Sequence, residues 1–550
     1  MKPRYRSIYI EDLRCKIFIV LLLISLSLGA NDTVLVRGAI QHDGLLDWSP
    51  VMYHSNSYLD LGVDWQAERG TFRELRANTR LELTQWPMPG YEKDFGGHGI
   101  GHLSVTAAFT WGEITVGDVY GQFGSGLILN LYEDRAMGID GALRGGKIEL
   151  NPYKGIHFTA LGGKQRRYWN CYTDHAWGWN YSRDAALGAD LELSIDQWIP
   201  AMQVHDVGLT IGGSWVSKYE AFDTIIAKTD ISGTYMYNVP RWVGAGEVRT
   251  QLRVKGFELL FEYARKAPDP CTENGFNYLW GNAYLASVGY SRKGLSVLLQ
   301  AKLTDNMAFR SERQRIGIAG RLNHLPAFTQ QHTYALAALY PYATNYSDIE
   351  LALQGEIRYT APRKTILGGK YGTTLKLTGS HIRTLKGYTG GEAYTDVNIE
   401  LHKRISKNWW LNAMLMYQAY NQLFIEGHGG MIRSGIAVVD ARVQINENIS
   451  MRGELQYLYS PHHEGQWCFA LYELNLYKHW TLSGQWMYNI GYAPDATNEH
   501  YYTVGLTFTY GAHRANIGYT KTREGFNCSG GVCRYIPQMK GICASYSFTF

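Results

Sequence analysis

Proline, charge and long apolar runs are all scarce in this chain. Of 550 residues, 15 are proline and 19% are charged, and no polar low-complexity tract breaks the sequence. The one pronounced apolar run, Ile17 to Leu28, is shorter than the roughly 20 residues that carry a helix across a bilayer. Helical periodicity is almost absent after residue 30. That excludes the series of helical soluble domains such a length would otherwise permit. Seven cysteines are present, and Cys15 precedes the apolar run. Apart from Cys528 and Cys533, those that follow are scattered without metal-ligand spacing, so neither zinc nor any other cofactor is expected.

Arg4, Arg6, Arg14 and Lys16 lead into the apolar run, and Gly29-Ala30 ends it. A basic start, a short apolar core and small closing residues predict a secretory signal peptide over residues 1–30. That segment holds five Lys/Arg and two Asp/Glu, so its removal takes the formal net charge from +4 to about +1. A nearly neutral chain has no electrostatic basis for binding nucleic acid. The mature chain, residues 31–550, is expected in a compartment that permits disulfides. Cys528 and Cys533 flank the glycines of GFNCSGGVC, a flexible stretch in which the two can approach to bridging distance.

What the chain does have is aromatic residues, glycine and alternation: 40 Tyr, 16 Trp and 60 Gly. In RELRANTRLEL, Leu75, Ala77, Thr79, Leu81 and Leu83 share one face, against Glu74, Arg76, Asn78, Arg80 and Glu82. In DVNIELHKRI, Val397, Ile399, Leu401 and Ile405 oppose Asp396, Asn398, Glu400, His402 and Arg404. In GIAVVDARVQI, Ala437, Val439, Ala441, Val443 and Ile445 oppose Asp440, Arg442 and Gln444. The period is two, whereas a helix would scatter these charges around its axis. A soluble sandwich also alternates, but its strands average about 5–6 residues, and runs of about ten recur here.

Short connections such as Lys255-Gly256, Lys293-Gly294 and Gly511-Ala512-His513 take turns with long ones such as QLFIEGHGGMIRS and the tract 307–348. Short turns at one end and long loops at the other predict an all-β transmembrane antiparallel barrel of the outer membrane. Alternating the two kinds gives about 24 strands, within 22–26, and puts both chain ends on the periplasmic side. Tyr546, Phe548 and the terminal Phe550 alternate on one face. That pattern resembles the C-terminal signal read by the barrel-assembly machinery. The Tyr and Trp excess fits aromatic girdles at the two interfaces. Outer-membrane lipid and lipopolysaccharide are the expected surroundings.

The stretch GDVYGQFGSGLILNLYEDRAMGIDGALRG, residues 117–145, invites a phosphate-loop reading and fails it. Gly121 and Gly126 are followed by Leu127 where a P-loop needs Lys, and Leu129 stands where the dinucleotide motif needs its third Gly. The expectation is instead a loop folded across the barrel mouth or lumen. Leu127–Leu129 and Leu131 would pack on the inner wall, and Glu133, Asp134, Arg135 and Asp140 would face water or pair with lumen charges. These four residues suit either a lumen gate or a structural network that clamps the loop.

At this stretch, and again at NPYKGIHFTALGGKQRRYW, QQHTYALAALYPYAT and LGGKYGTTLKL, the sequence resembles a family of Bacteroidota outer-membrane β-barrel proteins of unknown function. The resemblance runs over nearly all of the mature chain. It implies an outer-membrane barrel from a bacterium of that phylum and brings no substrate, catalytic residue or cofactor.

A barrel near 24 strands is wider than the 16–18 that leave an open channel, so something must fill it. Strands begin almost at Asn31, which leaves no length for a separate plug domain. The filler is expected from residues 122–143 and about 307–348. The leading function is a porin-like channel or transporter for small polar solutes, partly occluded by these loops. A structural or secretion-associated barrel is the alternative. An enzyme is the remaining class: Ser380 and His381, adjacent on a strand, point to opposite faces and cannot cooperate. His462, His463, Glu464, Glu499 and His500 in neighbouring loops are solvated tips or an exposed metal site.

Overall fold

A computed structural model describes residues 32–48, 51–169, 180–181, 184–221, 225–230, 233–315, 317–385, 390–491 and 497–550. The signal peptide expected over residues 1–30 lies outside the described residues. The main sheet has 25 strands, one of them the two-residue Asn180–Tyr181, which pairs only with the end of Ile156–Arg167. The other 24 run antiparallel to their neighbours and form a closed ring. The seam joins the first strand, Thr33–Trp48, to the last, Met539–Thr549, from Ala39 opposite Thr549 to Asp47 opposite Gly541. Phe550 closes it with two backbone hydrogen bonds to Gly38, both 2.9 Å. A Cβ on Gly38 would stand 2.3 Å from the Phe550 ring, so the ring lies directly over the glycine at the seam. Closure removes every strand edge, the one arrangement in which a sheet can cross hydrocarbon.

The alternation sorts side chains between two surroundings. Leu83, Val248, Ile399 and Leu455 are exposed, while their sequence neighbours Glu82, Glu247, Asn398 and Glu454 are buried. Apolar residues outside and polar ones inside are the inverse of a soluble core, and mark a membrane-spanning barrel of the outer-membrane class. Exposed aromatics gather at both strand ends. Trp242, Trp280 and Tyr459 lie toward the long loops, and Trp409, Trp480 and Tyr510 toward the short turns. Among the described residues no helix is long and apolar enough to cross a membrane.

Loop length divides the two ends less cleanly than the sequence predicts. At the short-turn end, residues 195–206 fold into the turn Ile195–Gln197 and the helix Pro200–Val204. Asp196 ties that connection back to the wall by accepting from the Leu209 N–H at 3.2 Å. Residues 362–372 at the same end are likewise compact, with Thr365 donating to the Pro362 carbonyl at 2.7 Å. Conversely, the first two strands stay paired to the long-loop end, where Trp48 stands opposite Val51. Local side-chain bonds let the longer connections at the short-turn end stay small.

Two long-loop connections turn inward: residues 120–142 (the first insert) and 306–349 (the second). They share a core with the upper wall. Leu127, Ile128, Leu129, Leu322, Leu336 and Tyr340 pack with Val216, Ile436, Leu458 and Trp467. The wall is therefore apolar on both faces where it meets the inserts. Placing arginine at exterior Ile399, midway along its strand, should cost about 2–4 kcal/mol of folding stability in lipid vesicles. A cost under about 0.5 kcal/mol, the range of ordinary surface changes, would show that Ile399 does not face hydrocarbon.

Candidate functional site

The first insert leaves the strand Gly112–Val119 and returns as Leu143–Tyr153, its immediate neighbour in the ring. Its 23 residues therefore bridge no gap in the sheet. They descend into the lumen as two small ladders, Gly121–Gln122 with Asn130–Leu131 and Glu133–Asp134 with Ile139–Asp140. The tip turns at Gly124, whose φ of 49° lies in the left-handed region. A Cβ there would come within 2.2 Å of Glu247 Oε1. The next N–H, that of Ser125, donates to both oxygens of Glu262 at 3.2 Å. Leu127, Ile128 and Leu129 are fully buried.

The charged half of the insert joins a buried knot on the flanking wall, between the strands Phe72–Thr84 and Ile156–Arg167. Asp140 accepts from Arg80 at 2.9 Å and from Arg166 at 2.5 Å, and Tyr120 donates to it at 3.0 Å. Glu82 completes the knot, taking Arg80 at 2.7 Å, Arg166 at 2.6 Å and the Trp169 indole N–H at 3.1 Å. Burial alone would raise the Asp140 carboxyl, but Arg166 and Arg80 hold it below the usual carboxylate value. Glu133 accepts from Arg80 at 2.5 Å and from Arg135 at 2.7 Å. Arg135 reaches on to Asp60, at 2.9 Å, and its guanidinium stacks 4.6 Å from the Tyr58 ring centre. Asp134 takes no part in this chain: its carboxylate caps a local turn by accepting from the Met137 N–H at 3.0 Å.

Arg80 and Glu82 stood out in the sequence only as lumen-facing residues, Arg166 and Trp169 only within a stretch of family resemblance, and Asp60 not at all. Nothing local links them to the insert: Arg166 lies 26 positions from Asp140 along the chain and Arg80 lies 60.

Below this chain of charges lies a cavity of about 600 Å³. Arg37, Arg76 and Arg135 line it together with Asp60, Glu113 and Glu149. The second insert seals the other side of the mouth. Its Arg313 meets Glu220 at 2.7 Å and Asp269 at 3.1 Å, and Arg310 and Arg321 both hold Glu273, at 2.8 and 2.9 Å. The inserts meet each other through apolar side chains and through backbone. Asn130 N–H donates to the Leu322 carbonyl at 2.7 Å, and His324 N–H to the Gly126 carbonyl at 2.9 Å.

A hairpin from the last long loop, Gly525–Ser529 with Val532–Ile536, covers both inserts. Cys528 and Cys533 face each other across it and are joined as a disulfide. Val532 packs on Met137 and Ile139 of the first insert, and the Gly531 carbonyl accepts from Thr344 N–H of the second at 3.1 Å.

The remaining residues singled out in the sequence lie apart. Ser380 faces the lumen, and His381 turns outward to Thr395 at 2.8 Å. Glu499 pairs with Lys521 at 2.9 Å, and His500 stacks on Tyr488 at 4.3 Å. Among the described residues no three His, Cys, Asp or Glu side chains converge as a metal site.

Residues 43–550 match a family of unknown function, DUF6029. The chain belongs to that family. No curated protein matches it. Among solved structures, this family member is similar to OccK3 (OpdO) of Pseudomonas aeruginosa, with a TM-score of 0.41 and 12% identity over 80% of this chain and 99% of that one. It is similar also to the siderophore receptor PirA of the same organism, with a TM-score of 0.41 and 9% identity over 94% of this chain and 81% of that one. A third likeness is to the copper transporter OprC, with a TM-score of 0.42 and 10% identity over 94% and 80%.

Two outcomes follow from the geometry. In the second insert, burial and then Lys302 and Arg321 push the His324 ring down from 6.5 to about 4. The unfolded ring binds a proton that the docked ring refuses. The stabilisation is complete above about pH 6.5 and is lost as pH falls through 4. Limited proteolysis of the inserts should accelerate across that window, and His324→Asn should flatten the profile. An identical profile in the variant rules out His324 as the cause. Mass spectrometry of native-membrane protein alkylated without reductant should find Cys528 and Cys533 linked; two alkylated thiols would contradict the bridge.

Proposed function

We propose that this barrel is an outer-membrane channel or transporter for small polar solutes, held partly shut by its first insert. The observation that carries the reading is the cavity under Glu133 and Arg135, walled by charges of both signs. Alternating Arg and carboxylate groups give no strong field of one sign, so neutral and zwitterionic solutes fit better than simple anions or cations. Glu133, Arg135 and Asp140 then act as the latch between insert and wall, and Asp134 shapes the turn that presents them. The resemblance to Bacteroidota barrels supports an outer membrane of that phylum as its setting. The exterior Tyr546, Phe548 and Phe550 supply the aromatic end that barrel-assembly machinery would engage.

A second reading, a structural or secretion-associated barrel, draws on one observation. The inserts and upper wall share a continuous buried core, which suits a permanent seal. Conductance separates the two. In planar bilayers, deleting residues 124–140 should raise single-channel conductance, and Arg135→Ala should raise the open fraction while leaving assembly intact. If the deleted barrel assembles and its permeability is unchanged, the first insert does not gate. If the Arg135 variant also stays silent, the structural reading stands in its place.

A further inference from the structure

Six buried polar atoms on one stretch of the lumen wall have no hydrogen-bonding partner among the described residues. They are Thr378 Oγ1, Ser380 Oγ, Asp396 Oδ1 and Asn398 Oδ1 on the wall, and Gln330 Oε1 and His332 Nε2 on the second insert. Ser380 stands directly opposite Asp396, and Thr378 opposite Asn398, in the ladder between strands Thr373–Thr384 and Glu392–Arg404. The four wall residues thus form a square, with cross-strand Cβ atoms about 4.5–5.5 Å apart. All four are sealed from solvent, Asp396 and Asn398 at 0% exposure, Thr378 at 1% and Ser380 at 4%.

The second insert closes over this square. His332 Nε2 lies 3.7 Å from Asp396 Oδ2, too far for a hydrogen bond. Gln330 donates its amide N–H to Glu400, one row further along the wall, which leaves its carbonyl oxygen free. Asp396 Oδ2 receives only the Asn398 amide at 3.2 Å and the Tyr394 hydroxyl at 3.4 Å. Among the described residues no Lys or Arg pairs with this carboxylate, whereas most other buried acids of the lumen have one.

Leaving several acceptors unpaired in one buried place costs about 1–3 kcal/mol for each, and more where one is charged. The set is rich in oxygen: a carboxylate, two amide carbonyls and two hydroxyls, with one imidazole nitrogen beside them. Oxygen donors in that number suit a hard cation. Charge decides among such ions. One carboxylate balances a monovalent ion, whereas calcium would leave a net positive charge buried.

We propose that this square, lidded by Gln330 and His332, binds a sodium ion that pins the second insert to the wall. The site is independent of whether the barrel conducts. Alternation placed Asp396 and Asn398 on one face, but Ser380 drew notice only as a failed nucleophile. Gln330 and His332 lie in a loop with no periodic pattern.

The test is heat-induced unfolding of the purified full-length barrel in sodium, potassium, calcium and choline chlorides at equal ionic strength. The midpoint in sodium should exceed that in choline by about 2 °C or more, and Asp396→Asn should erase the difference. Thr378→Val combined with Ser380→Ala keeps the charge and removes two ligands. It should raise the half-saturating sodium concentration about tenfold, a loss of about 1.4 kcal/mol. This variant carries the test if Asp396→Asn fails to assemble. Equal midpoints in sodium and choline overturn the proposal. So does stabilisation by calcium alone, which would refute a monovalent occupant. Stabilisation by acid with no cation effect also overturns it, because a proton taken up at the square would then supply the counter-charge.

Discussion

Closing 24 strands into one hydrogen-bonded ring leaves no free edge, and it also encloses a space too wide for wall side chains to fill. The rest of the molecule follows from that constraint. Long-loop connections must enter the lumen, and the backbone they bring must find partners there. Fixing each inserted residue costs about 1–2 kcal/mol in backbone entropy, while burying one Leu or Ile side chain returns about 1.5–3 kcal/mol. Isolated apolar contacts would barely offset the ordering. The inserts succeed because they pack against each other and against inward apolar positions such as Ile436, Val438 and Leu458, so that one layer serves several segments.

Charge fixes where that layer sits. Arg80, Glu82, Asp140 and Arg166 form a neutral set of two cations and two anions with hardly any exposure. Such a set is a poor source of net stability, because desolvation consumes most of the Coulomb gain. It does penalise misplacement. An insert shifted by one position would withdraw Asp140 and leave Glu82 alone to balance two buried guanidinium groups, at a cost of about 3–5 kcal/mol for a broken pair. The apolar contacts supply the attraction, and the knot selects one register for it.

The wall was legible in the sequence because a strand has a strict period of two. One glance at Leu81, Glu82 and Leu83 assigns lipid and lumen without knowing any neighbour. In the upper wall the period of two also held, with Val439 exposed and Asp440 buried, but an inward position no longer meant a polar one. Val439 was set against Asp440 as outside against inside, yet Ile436 and Val438 also face inward, because the second insert replaces water there. The first insert could be recognised as inward-folding, since Leu127–Leu131 cannot stay in water. Its partners could not be read. Asp140 meets Arg80 and Arg166 through the curvature of the ring, which no local pattern encodes, and Asp134 differs from its neighbours only in pointing back along its own turn.

The two inserts are not equally fast in their seats. The second is held by groups sealed from water: Arg313 pairs with Asp269, both side chains 2% exposed or less, and the buried Lys302 of the wall donates to the Pro326 carbonyl at 2.6 Å. Breaking those leaves a charge stranded in a low-dielectric interior. The first insert has one sealed end, at Asp140, and one wetted end. Arg135 and Asp60 are 26% and 33% exposed, and Glu133 is 24% exposed. Water already competes for these groups and salt screens them, so their separation costs little. The wetted end is also the rim of the 600 Å³ cavity. Any opening motion therefore starts there, at Glu133 and Arg135, and works toward Asp140, while the second insert keeps its place against the far wall.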